Sequence, residues 1–204
     1  MNRTSRGLRS AAVIAVMTAV SLSLAGCGAG DSLAQQWNSG GDTGYIGGDG
    51  TITEIPEAQR GEPVVFAGTD EKGAAVSSED FAGSVTVVNF WYAGCAPCRV
   101  EAPDLETVHT TFADQGVIFL GVNTRDQSDQ AVQFADEFGV TYPSIMDTAD
   151  NRSVQRAFAG SIPLNAVPTT LVLDTEGRVA VRILGQLQDA SILTTLVSDT
   201  LAEK

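Results

Sequence analysis

The chain has 204 residues, 43% of them apolar, with 25 acidic side chains against 12 basic ones and a formal net charge of −13 at pH 7. That balance argues against nucleic acid as a partner and against electrostatic adhesion to anionic lipid. An acidic surface by itself names no partner.

Residues 2–10, NRTSRGLRS, carry three arginines and no acid; residues 11–24, AAVIAVMTAVSLSL, form an apolar run that LAGC closes at Cys27. This is the charged, apolar and small-residue order of a secretory signal. The run is short of the roughly 20 apolar residues that a membrane-spanning helix needs. Leu24-Ala25-Gly26-Cys27 resembles a bacterial lipobox, in which the chain is cut before the cysteine and the sulfur takes a diacylglyceryl group. The expectation is a signal peptide over 1–26 and lipid attachment at Cys27, since two or more acyl chains anchor stably where one is marginal. An ordinary secreted protein with a stray cysteine near its cleavage site is the alternative. Without its signal the chain would carry a net charge near −16, so attachment to the membrane would rest on the lipid.

Residues 28–50 contain eight glycines and little apolar periodicity. Such a composition cannot bury enough surface to offset its ordering entropy. A flexible tether is expected over 27–60, with a root-mean-square span of roughly 30 Å, followed by one domain over 61–204. In that domain PVVFAGT (63–69) and AAVSS (74–78) flank a turn at Asp70–Gly73 and predict an N-terminal β-hairpin. SVTVVNFWY (84–92) and GVIFLGVN (116–123) are nearly continuous apolar runs of the kind buried on both faces of a sheet. Residues 96–114 predict a helix interrupted or kinked near Pro103. Another helix is expected over 128–139, with Ser128 as N-cap and Gly139 as stop. TTLVLD (169–174) and VAVRIL (179–184), around TEGR, predict a second hairpin, and the apolar stripe from Asp189 to Leu201 a last helix. The order predicts an α/β fold, a central mixed β-sheet flanked by helices.

Cys95 and Cys98 lie between the first long strand and the helix that follows. Once Cys27 is lipidated they are the remaining cysteines, and His109 is the chain's one histidine, too few for a four-ligand zinc site. A structural disulfide closing so short a loop would constrain the unfolded chain little, and Arg99 stands where haem attachment requires histidine. Redox exchange survives. Cys95 at a helix N-terminus would have its thiolate stabilised by unpaired N–H groups and the helix dipole. Cys98, a turn further in, would be more enclosed and act as the resolving thiol, while Pro97 suits the first helical turn.

The sequence NFWYAGCAPCRVEAPDLE, followed in order by GVNTRDQSDQAVQFADEFGVTYPSIMD and VPTTLVLDTEGRV, resembles the thioredoxin superfamily in its TlpA/ResA-like branch of membrane-anchored thiol–disulfide oxidoreductases, over roughly 61–200. The resemblance implies a thioredoxin-like fold, with Cys95 as nucleophile, Cys98 as resolving cysteine and Pro168 as the cis-proline facing the disulfide. It also marks Glu101, three residues beyond Cys98 on the same helical face, as a carboxylate that could handle that thiol's proton; a solvated acid favoured by the helix dipole is the plainer reading. Asn89 stands where thioredoxins proper have a buried aspartate, which would leave proton handling to Glu101. Trp91 is expected beneath the active-site loop, and His109 as an exposed helix residue without a role. Many members have tryptophan directly before the first cysteine, where this chain has Gly94, with Tyr92 two residues earlier. That departure bears on substrate preference.

The function implied is disulfide reduction in exported proteins at the extracytoplasmic face of a bacterial membrane, of the apocytochrome c maturation type. No cofactor or metal is expected. The expected partners are protein thiols and disulfides, a membrane electron carrier of the disulfide-reductase type, and the membrane through the lipid anchor. The alternatives are a disulfide-forming oxidase, a thiol peroxidase, and a binding lipoprotein whose thiols are incidental.

Overall fold

Six consecutive residues of strand β5, Thr86–Trp91, are all buried, and this strand lies inside the sheet that organises the molecule. A computed structural model describes residues 45–47, 50–148, 151–162 and 166–203. Its main sheet runs β1 (Tyr45–Gly47), β2 (Gly50–Glu54), β9 (Val179–Leu184), β8 (Thr169–Leu173), β5, β6 (Ile118–Asn123), β7 (Ser144–Met146). Strands β5, β6 and β7 are mutually parallel; β8, β9, β2 and β1 continue the sheet with antiparallel pairings. This is the expected mixed sheet of a thioredoxin-like fold. Helices α1 (Ala96–Phe112), α2 (Ser128–Phe138), α3 (Ser153–Ala157) and α4 (Ala190–Ala202) flank it.

The two-residue period of β5 sorts its side chains between the two faces. Val87 joins Leu105, Val108, Phe112, Leu193 and Val197 in the layer under α1 and α4. Val88 and Phe90 point the other way, into a core with Phe66, Phe158 and Ile162. The same alternation sends Asn89 and Trp91 toward α1, beside the cysteines. Helix α1 buries Cys98, Glu101, Ala102, Leu105, Val108 and Phe112 at three- to four-residue spacing.

Three expectations are corrected. Helix α1 is not interrupted at Pro103; the proline cannot donate to the Arg99 carbonyl, and packing of the buried stripe holds the remaining turns. Helix α2 is capped from Gln127, not Ser128, with Gln130 Oε1 accepting the Gln127 N–H at 3.2 Å. And the chain is structured before residue 60: β2 pairs with β9, and Arg60 bonds Glu203 through both guanidinium nitrogens (2.7 Å each) and Asp174 at 3.0 Å. A glycine-rich stretch hid a strand whose partner lies over 120 residues away. The expected signal segment, Cys27 and the tether up to residue 44 lie outside the described residues.

The predicted N-terminal hairpin is present as β3 (Ala67–Thr69) and β4 (Ala75–Ser77), and Asp70 Oδ1 closes its turn by accepting the N–H groups of Lys72 and Ala74. Its tip reaches the main sheet. Asp70 bridges to Ile145, Glu71 N–H donates to the Ser144 carbonyl, and Glu71 Oε2 accepts the Ser144 N–H at 2.8 Å. The hairpin therefore covers the exposed edge of β7.

Ser144 Oγ also accepts the indole N–H of Trp91 at 3.1 Å, packed directly against Gly121 of β6. A Cβ at position 121 would overlap Ser144 Oγ and lie 2.8 Å from Trp91 Nε1. Gly121→Ala is therefore expected to destabilise the protein by about 1–3 kcal/mol, the usual size of core overpacking. Urea unfolding followed by tryptophan fluorescence checks this; an unchanged midpoint would mean that the contact is slack.

Candidate functional site

The end of β5 carries the chain out of the sheet at Trp91, and a three-residue loop, Tyr92–Gly94, delivers Cys95 to the N-cap of α1. Cys95 and Cys98 form a disulfide. Cys95 Sγ accepts the N–H of Cys98 at 3.2 Å, so an otherwise unpaired first-turn N–H is aimed at the sulfur. Both cysteines are enclosed in this oxidised form, 3% and 2% exposed. The expected difference in accessibility between them is absent here because Trp91, Ala102 and Phe134 pack around the pair, with Tyr92, Ala93 and Val167 closing over it.

Trp91 lies where the sequence places it, its ring 4.2 Å from that of Phe134. Pro168 is buried and its bond to Val167 is cis, with Val167 packed against the cysteine cluster. The Pro168 carbonyl accepts the Gly185 N–H at 2.9 Å.

Glu101 is not the solvated acid of the plainer reading: it is 0% exposed. Its Oε1 accepts from Asn89 Nδ2 at 2.9 Å and its Oε2 from the Leu187 N–H at 2.7 Å. The second N–H of the Asn89 amide goes to Thr170 Oγ1 at 3.0 Å. Burial raises the carboxyl from 4.5 to about 7, against the opposing pull of the Leu187 and Asn89 hydrogen bonds, and the charge of Asp104 adds to the rise. One helical turn separates Glu101 from Cys98, which places their Cβ atoms roughly 5–6 Å apart. A small cavity of about 20 Å³ lies beside them, lined by Cys98, Asn89, Trp91, Tyr142, Ser144 and Glu71 among others. Its size is that of about one water molecule.

His109, expected to be exposed, is half-buried: its ring meets Phe119 and Tyr142 edge-on at 5.2 and 5.4 Å. It is about three turns along α1 from the cysteines and takes no part in the site. Among the described residues no group of three or more His, Cys, Asp or Glu side chains is arranged to hold a metal.

Sequence reasoning missed the supports. Asp126 Oδ2 accepts the Ala93 N–H at 2.5 Å and the Asn123 amide at 2.8 Å, bracing the loop that leads to Cys95. The Asn-x-x-Asp spacing marks the local turn, in which Asn123 Oδ1 accepts the N–H groups two and three residues on, but nothing local marked the reach of Asp126 to Ala93. Nothing local marked Thr170 or Leu187, which come from strand pairing and from a loop after β9.

A strand–loop–helix that presents a Cys-x-x-Cys disulfide at a helix N-terminus, opposite a cis-proline and on this mixed sheet, is the arrangement of a thioredoxin-like thiol–disulfide oxidoreductase. The family model described as AhpC/TSA matches residues 61–182, and the chain belongs to that family. It is 32% identical over 127 residues to the thiol-disulfide oxidoreductase ResA of Geobacillus kaustophilus, covering 62% of this chain and 70% of ResA. It is 36% identical over 121 residues to the thiol:disulfide interchange protein HelX of Rhodobacter capsulatus, covering 59% of this chain and 62% of HelX. Among solved structures, a DsbF homologue from Corynebacterium diphtheriae superposes with TM-score 0.63 at 30% identity, over 72% of this chain and 92% of its own. A secreted thiol-disulfide isomerase from Corynebacterium glutamicum superposes with TM-score 0.67 at 29% identity, over 79% and 99%.

The raised Glu101 pKa has a consequence for stability with a definite sign. Between about pH 4.5 and 7 the folded protein holds a proton there that the unfolded chain has lost, so stability falls as pH rises through this window. The cost amounts to at most about 3 kcal/mol by pH 7. Denaturant unfolding of the oxidised protein at several pH values is expected to show this decline in wild type and a flatter profile in Glu101→Gln; parallel profiles would mean that Glu101 titrates normally.

Proposed function

We propose that the protein reduces disulfides of exported proteins at the extracytoplasmic face of the bacterial membrane, in the manner of apocytochrome c maturation. Cys95 is the attacking thiolate, Cys98 the resolving thiol, Glu101 the group that manages the Cys98 proton, and Pro168 the residue against which a substrate strand lies. The observation that carries the direction is the buried Glu101 carboxyl beneath the cysteine pair. Once ionised, above about pH 7, that carboxylate opposes formation of a thiolate nearby, and so disfavours the reduced, charged form of the couple. Strongly oxidising relatives of this fold have a stabilised reduced form.

In the reducing direction, Cys95 thiolate attacks one sulfur of the substrate disulfide, and the other substrate sulfur leaves as a thiolate and is protonated. Cys98 then loses its proton, which Glu101 at about pH 7 is suited to take, and attacks Cys95 Sγ. The second substrate thiol is released and the Cys95–Cys98 disulfide forms. The substrate gains two electrons and two protons; a membrane electron carrier of the disulfide-reductase type returns both to the enzyme. The same helix N-terminus that activates Cys95 would, if it dominated, favour an oxidase instead. The signal over 1–26 is removed in this reading, and Cys27 bears the lipid that holds the domain at the membrane.

Three measurements decide these points. Equilibration of the Cys95–Cys98 couple against thiol buffers is expected to give a potential near that of thioredoxin, about −270 mV; a value near that of DsbA, about −120 mV, would reverse the direction. Glu101→Gln is expected to move the potential upward by a few tens of mV, about 30 mV corresponding to 1.4 kcal/mol. It should also slow release of a trapped mixed disulfide by roughly 100-fold or more near neutral pH, read by quenched-flow exchange; an unchanged release profile across pH would remove Glu101 from the mechanism. Cys27→Ala is expected to shift the protein from the membrane to the soluble fraction, and an unshifted distribution would overturn the lipid anchor.

A further inference from the structure

Arg125 sits at the mouth of the site without an acidic partner in a protein of net charge −13. Its guanidinium lies 4.1 Å from the centroid of the Tyr92 ring, it is exposed, and among the described residues no carboxylate is within ion-pair distance of it. The other arginine of this rim is committed: Arg99 bonds Glu137 at 2.6 Å and reaches the Ala93 carbonyl at 3.4 Å. The acid next to Arg125 in sequence is turned away, because Asp126 is occupied by Ala93 and Asn123.

Both ends of the stacked pair are held. Asn123 Oδ1 accepts the N–H groups of Arg125 and Asp126 at 3.1 and 2.8 Å, which fixes the backbone under the arginine. The Tyr92 carbonyl accepts the Cys95 N–H at 3.1 Å, and the Tyr92 ring lies beside Gly94, 3.5 Å from where a Cβ would stand. Tyr92 thus lies within van der Waals reach of the face that a side chain at position 94 would present. The result is a cation ordered in advance by stacking on a ring that packs against the cysteine cluster, and unneutralised.

We infer that Arg125, stacked on Tyr92, is a specificity-determining residue that binds a carboxylate flanking the reacting cysteine of a peptide or protein substrate. The inference rests on the reading of Cys95 as the attacking sulfur. A planar guanidinium offers a carboxylate two parallel N–H bonds, and stacking has already limited the freedom it must lose. The surrounding acidic surface works the other way, repelling acidic chains at longer range. Close to the cysteine pair, an acidic side chain is therefore welcome within reach of Arg125.

The test uses the purified full-length protein and two disulfide-bearing model peptides that differ only in Glu or Gln beside the reacting cysteine. Wild type is expected to exchange with the Glu peptide roughly three- to fivefold faster, the size of a surface ion pair, with the ratio shrinking as salt is raised. In Arg125→Gln the ratio should fall to about one, and Arg125→Lys should retain part of it. A ratio of one in wild type, or a preference that survives in Arg125→Gln, would overturn the inference. So would equal slowing of both peptides in Arg125→Gln with the ratio intact, which marks Arg125 as a support for the loop alone. Failure of wild type to exchange with either peptide would instead remove Cys95 as the attacking sulfur, and the inference with it.

Discussion

A carboxyl group with no solvent exposure must be given hydrogen-bond donors by the fold, because an unpaired buried charge costs several kcal/mol. Glu101 imposes this condition on four separate parts of the chain. Helix α1 carries it, β5 supplies the Asn89 amide, β8 orients that amide through Thr170, and the loop after β9 offers the Leu187 N–H. Asparagine at position 89 is what makes the arrangement possible: an ionised aspartate there would face Glu101 with a second negative charge and no donor. The alternation of β5 then follows as a requirement, since Asn89 and Trp91 must both point toward α1.

With the carboxyl fixed, the cysteine pair is placed by the same helix. Cys95 caps α1, Cys98 lies in its first turn, and Glu101 follows a turn later, so one rigid element sets the spacing of all three. The sheet contributes what the helix cannot. Pro168 enters from the loop before β8, and its carbonyl is tied to Gly185, two residues before the donor to Glu101. The three-residue strap 185–187 therefore touches both the proline loop and the buried carboxyl.

Much of this was legible in the sequence, for physical reasons that differ between elements. The strands β5 and β6 announced themselves as apolar β-branched runs, and the final helix by its stripe, since burial on one or both faces leaves a periodic trace. Cys95, Cys98 and Glu101 could be grouped because they share a helix face within two turns. Strand β2 could not be read, because Gly50–Glu54 follows a glycine-rich stretch, has a single apolar residue, Ile52, and becomes a strand by pairing with β9. Strand β7 is three residues long, too short for a period to show. Pro103 suggested a break that packing of Ala102, Leu105 and Val108 overrides. The partners of Glu101 were hidden for the same reason as β2, lying up to 86 residues away.

The hairpin tip against β7 bears on how such a molecule keeps company with its substrates. A polypeptide awaiting disulfide exchange is often incompletely folded, and extended segments seek any unpaired sheet edge to join. Here one edge is occupied by Asp70 and Glu71, and the opposite edge, β1, is a strand of three residues. Neither offers a long template for strand addition. Among the described residues, the sheet edges offer a thiol-bearing chain little that would draw it into the enzyme's own sheet.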